Sequence, residues 1–297
     1  MLKSYRFIVL MVLPLLFHCD WGNNSNHVYT GVVEGTVVRV PALTGGKIVQ
    51  LAVDTGDDVS KNQLLAVIDT TDLAYQRKNL TALMLEIENQ KRIAATNLKR
   101  AEKDLAYVRE KYQRFQDLLK KQSVTQQAVD DLQNQLQNAE AAYNAARQQL
   151  GTLDAKKMQI EAQLQSLNKK IDDAIITAPL SGVITQKYYE TGEAIPPLAA
   201  LVEVIDLDNV WVKIYISETM LPQIKTGQGV EVHPDGISDH LPGTVSWINS
   251  RAEFTPKTIL TEETRTSLVY AVKVRIENDE RILKQGMPVT VHLSAEK

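Results

Sequence analysis

The 297-residue chain has a single cysteine, Cys19, so no disulfide framework can hold it together. Aromatic residues are sparse, at 6%, as expected where much of a chain is coiled coil. Basic charge is not in excess: the formal net charge is -3 and the pI about 6.0, against a nucleic-acid binder, which needs a basic face. There is no phosphate-binding glycine loop, no nucleophile elbow and no carboxylate pair in a suggestive setting. The five histidines (His18, His27, His233, His240 and His292) show no metal-ligand spacing, and His233 and His240 flank a Pro-Asp-Gly turn. Nothing here argues for catalysis, a cofactor or a metal.

The apolar run at the N-terminus is also short. Lys3 and Arg6 precede eleven apolar residues, Phe7 to Phe17. A membrane-spanning helix needs about 20, so the segment reads as a signal-peptide core. Cys19 follows in Leu16-Phe17-His18-Cys19, which resembles a bacterial lipoprotein cleavage site, although His18 stands where Gly, Ala or Ser is usual. Two readings stay open. Cys19 is lipidated, with Asp20 resembling the signal that retains lipoproteins in the inner membrane, or the signal is an ordinary one with an incidental cysteine. Either way the chain is exported. Residues 20–28, polar and Asn-rich, read as a flexible tether.

What the chain does have is a pattern written twice. GGKIVQLAVDTGDDV (Gly45 to Val59) and SGVITQKYYETGEAI (Ser181 to Ile195) share spacing: Gly46 to Gly56, Gly182 to Gly192, then an acid (Asp57, Glu193). Each is a short alternating strand between glycine turns, half of a small β-sandwich. Between them the period changes. Leu73, Leu80, Ile87, Ala94, Ala101, Val108 and Phe115 recur every seven residues, with Met84, Leu98, Leu105, Tyr112 and Leu119 as a second seam and lapses at Arg77 and Lys91. After a break at Lys120 to Thr125, Val129, Leu132, Leu136 and their successors run to Ile171 and lapse only at Lys157. Two near-equal arms with matching stripes predict a folded-back coiled coil. Gly151, level with Ala94 and Ala95, suggests a close helix approach or a hinge. The tail alternates at Val210, Val212, Ile214 and Ile216, at Leu268, Tyr270, Val272, Val274 and Ile276, and at Val289, Val291 and Leu293, which suggests a small barrel.

The repeated half resembles the lipoyl/biotinyl carrier fold, but the hairpin that carries the modified lysine is replaced by the coiled coil, so no lysine occupies the attachment position. Split lipoyl halves, helical hairpin and barrel, in that order, resemble the HlyD-like membrane fusion family, the periplasmic adaptors of Gram-negative efflux and secretion systems. The resemblance implies an α+β fold: an elongated modular adaptor with a split lipoyl-like β-sandwich, a long antiparallel coiled-coil α-hairpin and a small β-barrel. The expected organisation is an export segment at 1–19, a tether at 20–28, lipoyl halves at 29–69 and 174–205, a hairpin at 70–173 with its tip near 120–125, and a barrel at 206–297.

In that family the hairpin tip docks on an outer-membrane, TolC-like channel through an Arg, a Leu four residues on and a Ser seven beyond. RFQDLLKKQSVT supplies Arg114, Leu118 and Thr125, with Thr in place of Ser. On the residues alone, Arg114 is also a solvated flank, Leu118 the end of the seam, and Ser123 or Thr125 a helix cap. AEFTPKTILTEETRTSLVYAVKVRIEN and LKQGMPVTV resemble adaptors that partner ABC-type exporters of the inner membrane. The chain ends eleven residues after Gly286, so the membrane-proximal domain of proton-driven pump adaptors is not expected. Phe254, Thr255, Pro256, Lys257 and Thr258 would form a transporter-facing loop or simply a Pro-stiffened surface loop. The resemblance further implies a hexamer, attachment to the inner membrane through the N-terminus, no cofactor and no enzymatic activity. The alternative is an adaptor of a proton-driven pump or of a type I protein secretion system.

Overall fold

The computed structural model describes residues 27–237, 239–254 and 268–293. They form two compact units: one spans Thr36–Asp206, and the other combines the described residues before Thr36 with those after Asp206.

In the first unit the sequence repeat becomes a structural one. Strands β2 (Gly46–Leu51) and β3 (Asp58–Val59) correspond to β6 (Gly182–Lys187) and β7 (Ala194–Ile195) at a constant offset, Gly46 matching Gly182. The halves interlock by the same bonds used twice. Gly56 N–H donates to Ile184 O (2.8 Å) and Ile184 N–H to Asp57 O (2.9 Å); in the other half Gly192 N–H donates to Ile48 O (2.9 Å) and Ile48 N–H to Glu193 O (2.8 Å). The acids after the glycines close the turns: Asp57 Oδ2 accepts from Asp54 N–H (2.7 Å) and Glu193 Oε2 from Glu190 N–H (2.9 Å). Lys187 then bridges both turns, 2.9 Å from Asp54 and 2.9 Å from Glu190, and these carboxylates raise its pKa.

Strands β4 (Leu64–Ile68) and β5 (Ile175–Thr177) complete a four-stranded sheet in the order β5-β4-β2-β7, while β3 pairs with β6 and β6 with the start of β8 (Ala200–Ser217). Ile48, Leu65, Ile68, Ile184, Leu201 and Val204 meet in the sandwich core, none more than 1% exposed. Each such side chain contributes about 1.5–3 kcal/mol by leaving water.

The insert is a hairpin of α1 (Thr71–Lys120) and α2 (Gln126–Asp172). Its buried residues, Ile87, Ala94 and Leu105 on α1 and Val129, Leu132, Leu153, Ile160 and Leu167 on α2, all fall on the heptad seams. The two central lapses are filled rather than empty. Lys91 pairs with Asp154 across the seam, and Lys157 Nζ lies 3.2 Å from Glu88 and 3.6 Å from Glu161. Hydrogen bonding to Glu88 holds the Lys157 pKa above its usual value. Such solvent-screened pairs add little stability. Their value is register: Lys91/Asp154 and Glu88/Lys157 are both symmetric about the bond between residues 122 and 123, so a slip by one turn would strand four charges beside apolar neighbours.

Gly151 does not mark a close helix approach. It is exposed, and a Cβ added there would meet nothing within 4 Å. Gly151→Ala is therefore expected to stabilise the hairpin by about 1 kcal/mol, the helix-propensity difference, read as a higher denaturant midpoint of the helical far-UV CD signal.

The second unit is a closed barrel. Strands β9 (Gly229–Pro234), β10 (Leu241–Ile248), β12 (Leu268–Glu277) and β13 (Pro288–Leu293) join β1 (His27–Pro41) and β8 in the ring order β8-β12-β10-β9-β13-β1, with β11 (Glu253–Phe254) appended to β12. Val210, Val212, Ile214 and Ile216 are fully buried, as are Val289 and Val291, in keeping with their alternation. At the start of β12 the pattern shifts by one: Leu268 is 52% exposed while Val269 and Ala271 are buried. The neighbouring β10 carries a bulge between Val245 and Trp247, opposite Lys273 and Val274. The start of β1 also differs from expectation. Tyr29 was the expected beginning of the first lipoyl half, yet His27–Val32 pair with β13 and group with the barrel. Alternation reveals a strand but not its partner.

Candidate functional site

The tip of the hairpin is a built structure. Both legs are rooted in the sandwich: Ile68 N–H donates to Ala174 O (2.9 Å), Thr44 Oγ1 to Lys170 O (2.9 Å), and Asp69 Oδ1 accepts from both Thr71 N–H (2.8 Å) and Thr71 Oγ1 (2.6 Å). The Thr71 bonds hold the Asp69 carboxyl below its ordinary range. At the far end α1 closes in a Schellman motif, with Gln122 N–H donating to Leu119 O (2.8 Å) and Ser123 N–H to Leu118 O (3.0 Å). That motif needs a left-handed residue, and Gln122 takes the conformation at φ 56° where glycine is usual. Gln122→Gly is expected to stabilise the hairpin by about 1 kcal/mol by relieving that backbone cost, measured by denaturant unfolding beside the Gly151 variant.

Arg114 and Leu118 stand one helical turn apart on α1, with Leu118 two residues from its end, its carbonyl accepting from Lys121 N–H (3.1 Å) and Ser123 N–H (3.0 Å). Arg114 is exposed and donates to Glu110 Oε1 at 2.7 Å, whereas Leu118 is half-buried. Thr125 is the N-cap of α2, its hydroxyl accepting from Ala128 N–H at 3.3 Å. Ser123 is not a cap, since its hydroxyl donates to Lys121 O at 3.3 Å. Lys120 Nζ, 2.9 Å from Asp117 Oδ1, lowers the Asp117 pKa. The tip thus offers a guanidinium, a partly exposed leucine and a hydroxyl on a loop fixed by backbone bonds, with no nucleophile set against a base. The left-handed Gln122 is the one tip feature missed in the sequence, because a non-glycine residue hides the turn signal.

Phe254 is 78% exposed at the end of β11, paired with the exposed Leu268. Thr255, Pro256, Lys257, Thr258 and Cys19 lie outside the described residues. Among the described residues no helix is long and apolar enough to cross a membrane.

Residues 36–206 match the CzcB-like, barrel-sandwich hybrid domain family, and residues 210–293 match the YknX-like β-barrel domain. The chain belongs to the membrane fusion, or periplasmic adaptor, family. A UPF0194 membrane protein of Yersinia pseudotuberculosis serotype IB (strain PB1/+) is 30% identical to this membrane fusion protein over 296 residues, covering 91% of this chain and 90% of the relative. One from Acidithiobacillus ferridurans, described as lying in the asrC 5′ region, is 31% identical over 274 residues, covering 84% and 81%. Among solved structures, MacA from Actinobacillus actinomycetemcomitans shares the fold with a TM-score of 0.65 at 22% identity, covering 90% of this chain and 78% of that one. A MacA-MexA chimera carrying the Pseudomonas aeruginosa MexA α-hairpin superposes with a TM-score of 0.52 at 22% identity over 91% of this chain and 79% of that one. The family consists of non-enzymatic adaptors.

Proposed function

We propose that this membrane fusion protein is the periplasmic adaptor of a tripartite efflux pump, linking an inner-membrane ABC-type exporter to an outer-membrane channel for the export of small molecules. The carrying observation is the hairpin. Helices of 50 and 47 residues start and end on one sandwich and meet in a capped loop. At a rise of 1.5 Å per residue, the longer leg spans roughly 75 Å, a length suited to bridging across a periplasm.

In this reading Arg114, Leu118 and Thr125 dock on the channel, and the segment from Phe254 to Thr258 faces the transporter. The N-terminal segment holds the protein at the inner membrane, through an acylated Cys19. Copies assemble side by side, as a hexamer, so that the hairpins enclose a conduit. The ABC pairing rests on the resemblance of the tail to adaptors of such exporters. The relatives are UPF0194 membrane proteins, which agrees with attachment at a membrane.

The test is affinity purification of the full chain from crosslinked cells. Co-recovery of ABC permease subunits and an outer-membrane channel is expected. A proton-driven pump or a secretion ATPase in their place would overturn the ABC pairing, and recovery of neither a transporter nor a channel would overturn the adaptor reading. Intact mass of the membrane fraction decides Cys19: a diacylglycerol adduct is expected, and its absence removes the lipid anchor.

A further inference from the structure

Three of the chain's five histidines, separate in sequence, meet on the barrel. His233 lies on β9, His292 on the adjacent β13, and His240 between β9 and β10. The His233 ring centre is 4.3 Å from that of His292 and 5.7 Å from that of His240. Strand parity explains the first pair. Buried Val230, Val232 and Pro234 alternate with Glu231 and His233 on β9, and buried Val289, Val291 and Leu293 alternate with Thr290 and His292 on β13. The two histidines therefore share the outer face, and the Pro-Asp-Gly turn brings His240 back over them.

His233 Nε2 is buried yet has no hydrogen-bond partner, and the nearest carboxylate oxygen, Glu231 Oε2, stands 3.6 Å away, beyond hydrogen-bonding range. A buried polar nitrogen without a partner is costly and uncommon. Two imidazoles on one tetrahedral zinc, bound at about 2.0–2.1 Å, place their ring centres roughly 5 Å apart, and the two observed separations bracket that figure. No three donors among the described residues are already set around one point. Closing the site requires the three rings to turn about their side-chain bonds.

We infer that His233, His240 and His292 form a binding site for a divalent transition-metal ion of the zinc class, with the Glu231 carboxylate as fourth ligand or as the acceptor that orients His233. Imidazole donors favour zinc, nickel and copper over calcium or magnesium. The ion would tie the turn after β9 to the wall formed by β9 and β13, so that binding is also stabilisation of the barrel. The site does not depend on the adaptor reading.

The experiment is zinc titration of the purified full chain by calorimetry, with thermal unfolding followed in parallel. Wild type is expected to take one zinc in this site and to melt higher in its presence. His233→Gln and His292→Gln should each weaken binding at least about a hundredfold and abolish the thermal shift, while His27→Gln leaves both unchanged. Zinc X-ray absorption on the loaded wild-type chain counts imidazoles without any variant, so a misfolded variant leaves the test intact. Two or three imidazoles support the site, and one or none overturns it. It is equally overturned if wild type binds no zinc at micromolar concentration, or if both Gln variants bind as wild type does.

Discussion

Gly182→Ala is expected to destroy the sandwich and release the hairpin from its root. A Cβ at residue 182 would sit 2.1 Å from the carbonyl oxygen of Ile205 and 2.8 Å from its carbonyl carbon. Both are backbone atoms of β8, and Ile205 pairs directly with Val183, the next residue of β6. Relief therefore requires the strands to separate, and this is a core position: Ile184 and Val204 beside it are at most 1% exposed. Overpacking of a core costs about 1–3 kcal/mol when side chains can yield. Where only backbone can yield the cost belongs to the rare class of about 4 kcal/mol or more. Gly192→Ala is the control. The position has φ 96° and open space around its Cβ, so only conformational strain of roughly 1–2 kcal/mol is added. Thermal unfolding and limited proteolysis separate the two. The expected result is an early-melting, protease-sensitive Gly182 variant beside a near-normal Gly192 variant. Equal melting would mean that the strand spacing at Ile205 is soft.

The contrast between those glycines shows what a sequence can and cannot reveal. Both halves of the repeat were visible, because spacing along the chain survives in one dimension, and Gly46 and Gly182 take equivalent places in the fold. That one glycine of each half is needed for close approach and the other for a positive φ is a three-dimensional distinction. The heptads were legible for the same reason as the repeat: a local period dictates which face is buried. Their lapses were visible at Lys91 and Lys157, but the partners Asp154 and Glu88 depend on where the chain turns. Pairing across long separations was not legible. The start of β1 alternates whether it joins the sandwich or pairs with β13, and His292 becomes a neighbour of His233 only through that barrel order. Asn278 is a further case. It is 3% exposed, donates to Leu207 O (2.7 Å) and Leu283 O (3.0 Å) and accepts from Leu283 N–H (2.9 Å), yet in the sequence it resembles any turn asparagine.

At the hairpin tip, substitution should separate function from folding most widely. The double variant Arg114→Ala, Leu118→Ala is expected to lower export-dependent resistance at least tenfold while the helical signal and melting of the chain change little. The physical basis is the small structural share of each side chain. Arg114 makes an exposed ion pair with Glu110 within one helix, worth about 0.3–0.5 kcal/mol. Leu118 is only half-buried, and the bonds that close the loop use its carbonyl, which alanine retains. Thr125 needs a separate treatment because its hydroxyl already caps α2. Thr125→Ser keeps the cap and should be silent, whereas Thr125→Ala costs about 1 kcal/mol of helix stability and confounds docking with fraying. A photo-crosslinker placed at Gln122, in the loop between Leu118 and Thr125, supplies the direct readout. In wild type it should capture an outer-membrane channel, and in the double variant the adduct should disappear. Loss of resistance with the adduct retained would place the defect elsewhere in the pump. Retained resistance and adduct in the double variant would reduce Arg114 and Leu118 to a solvated flank and the end of the seam.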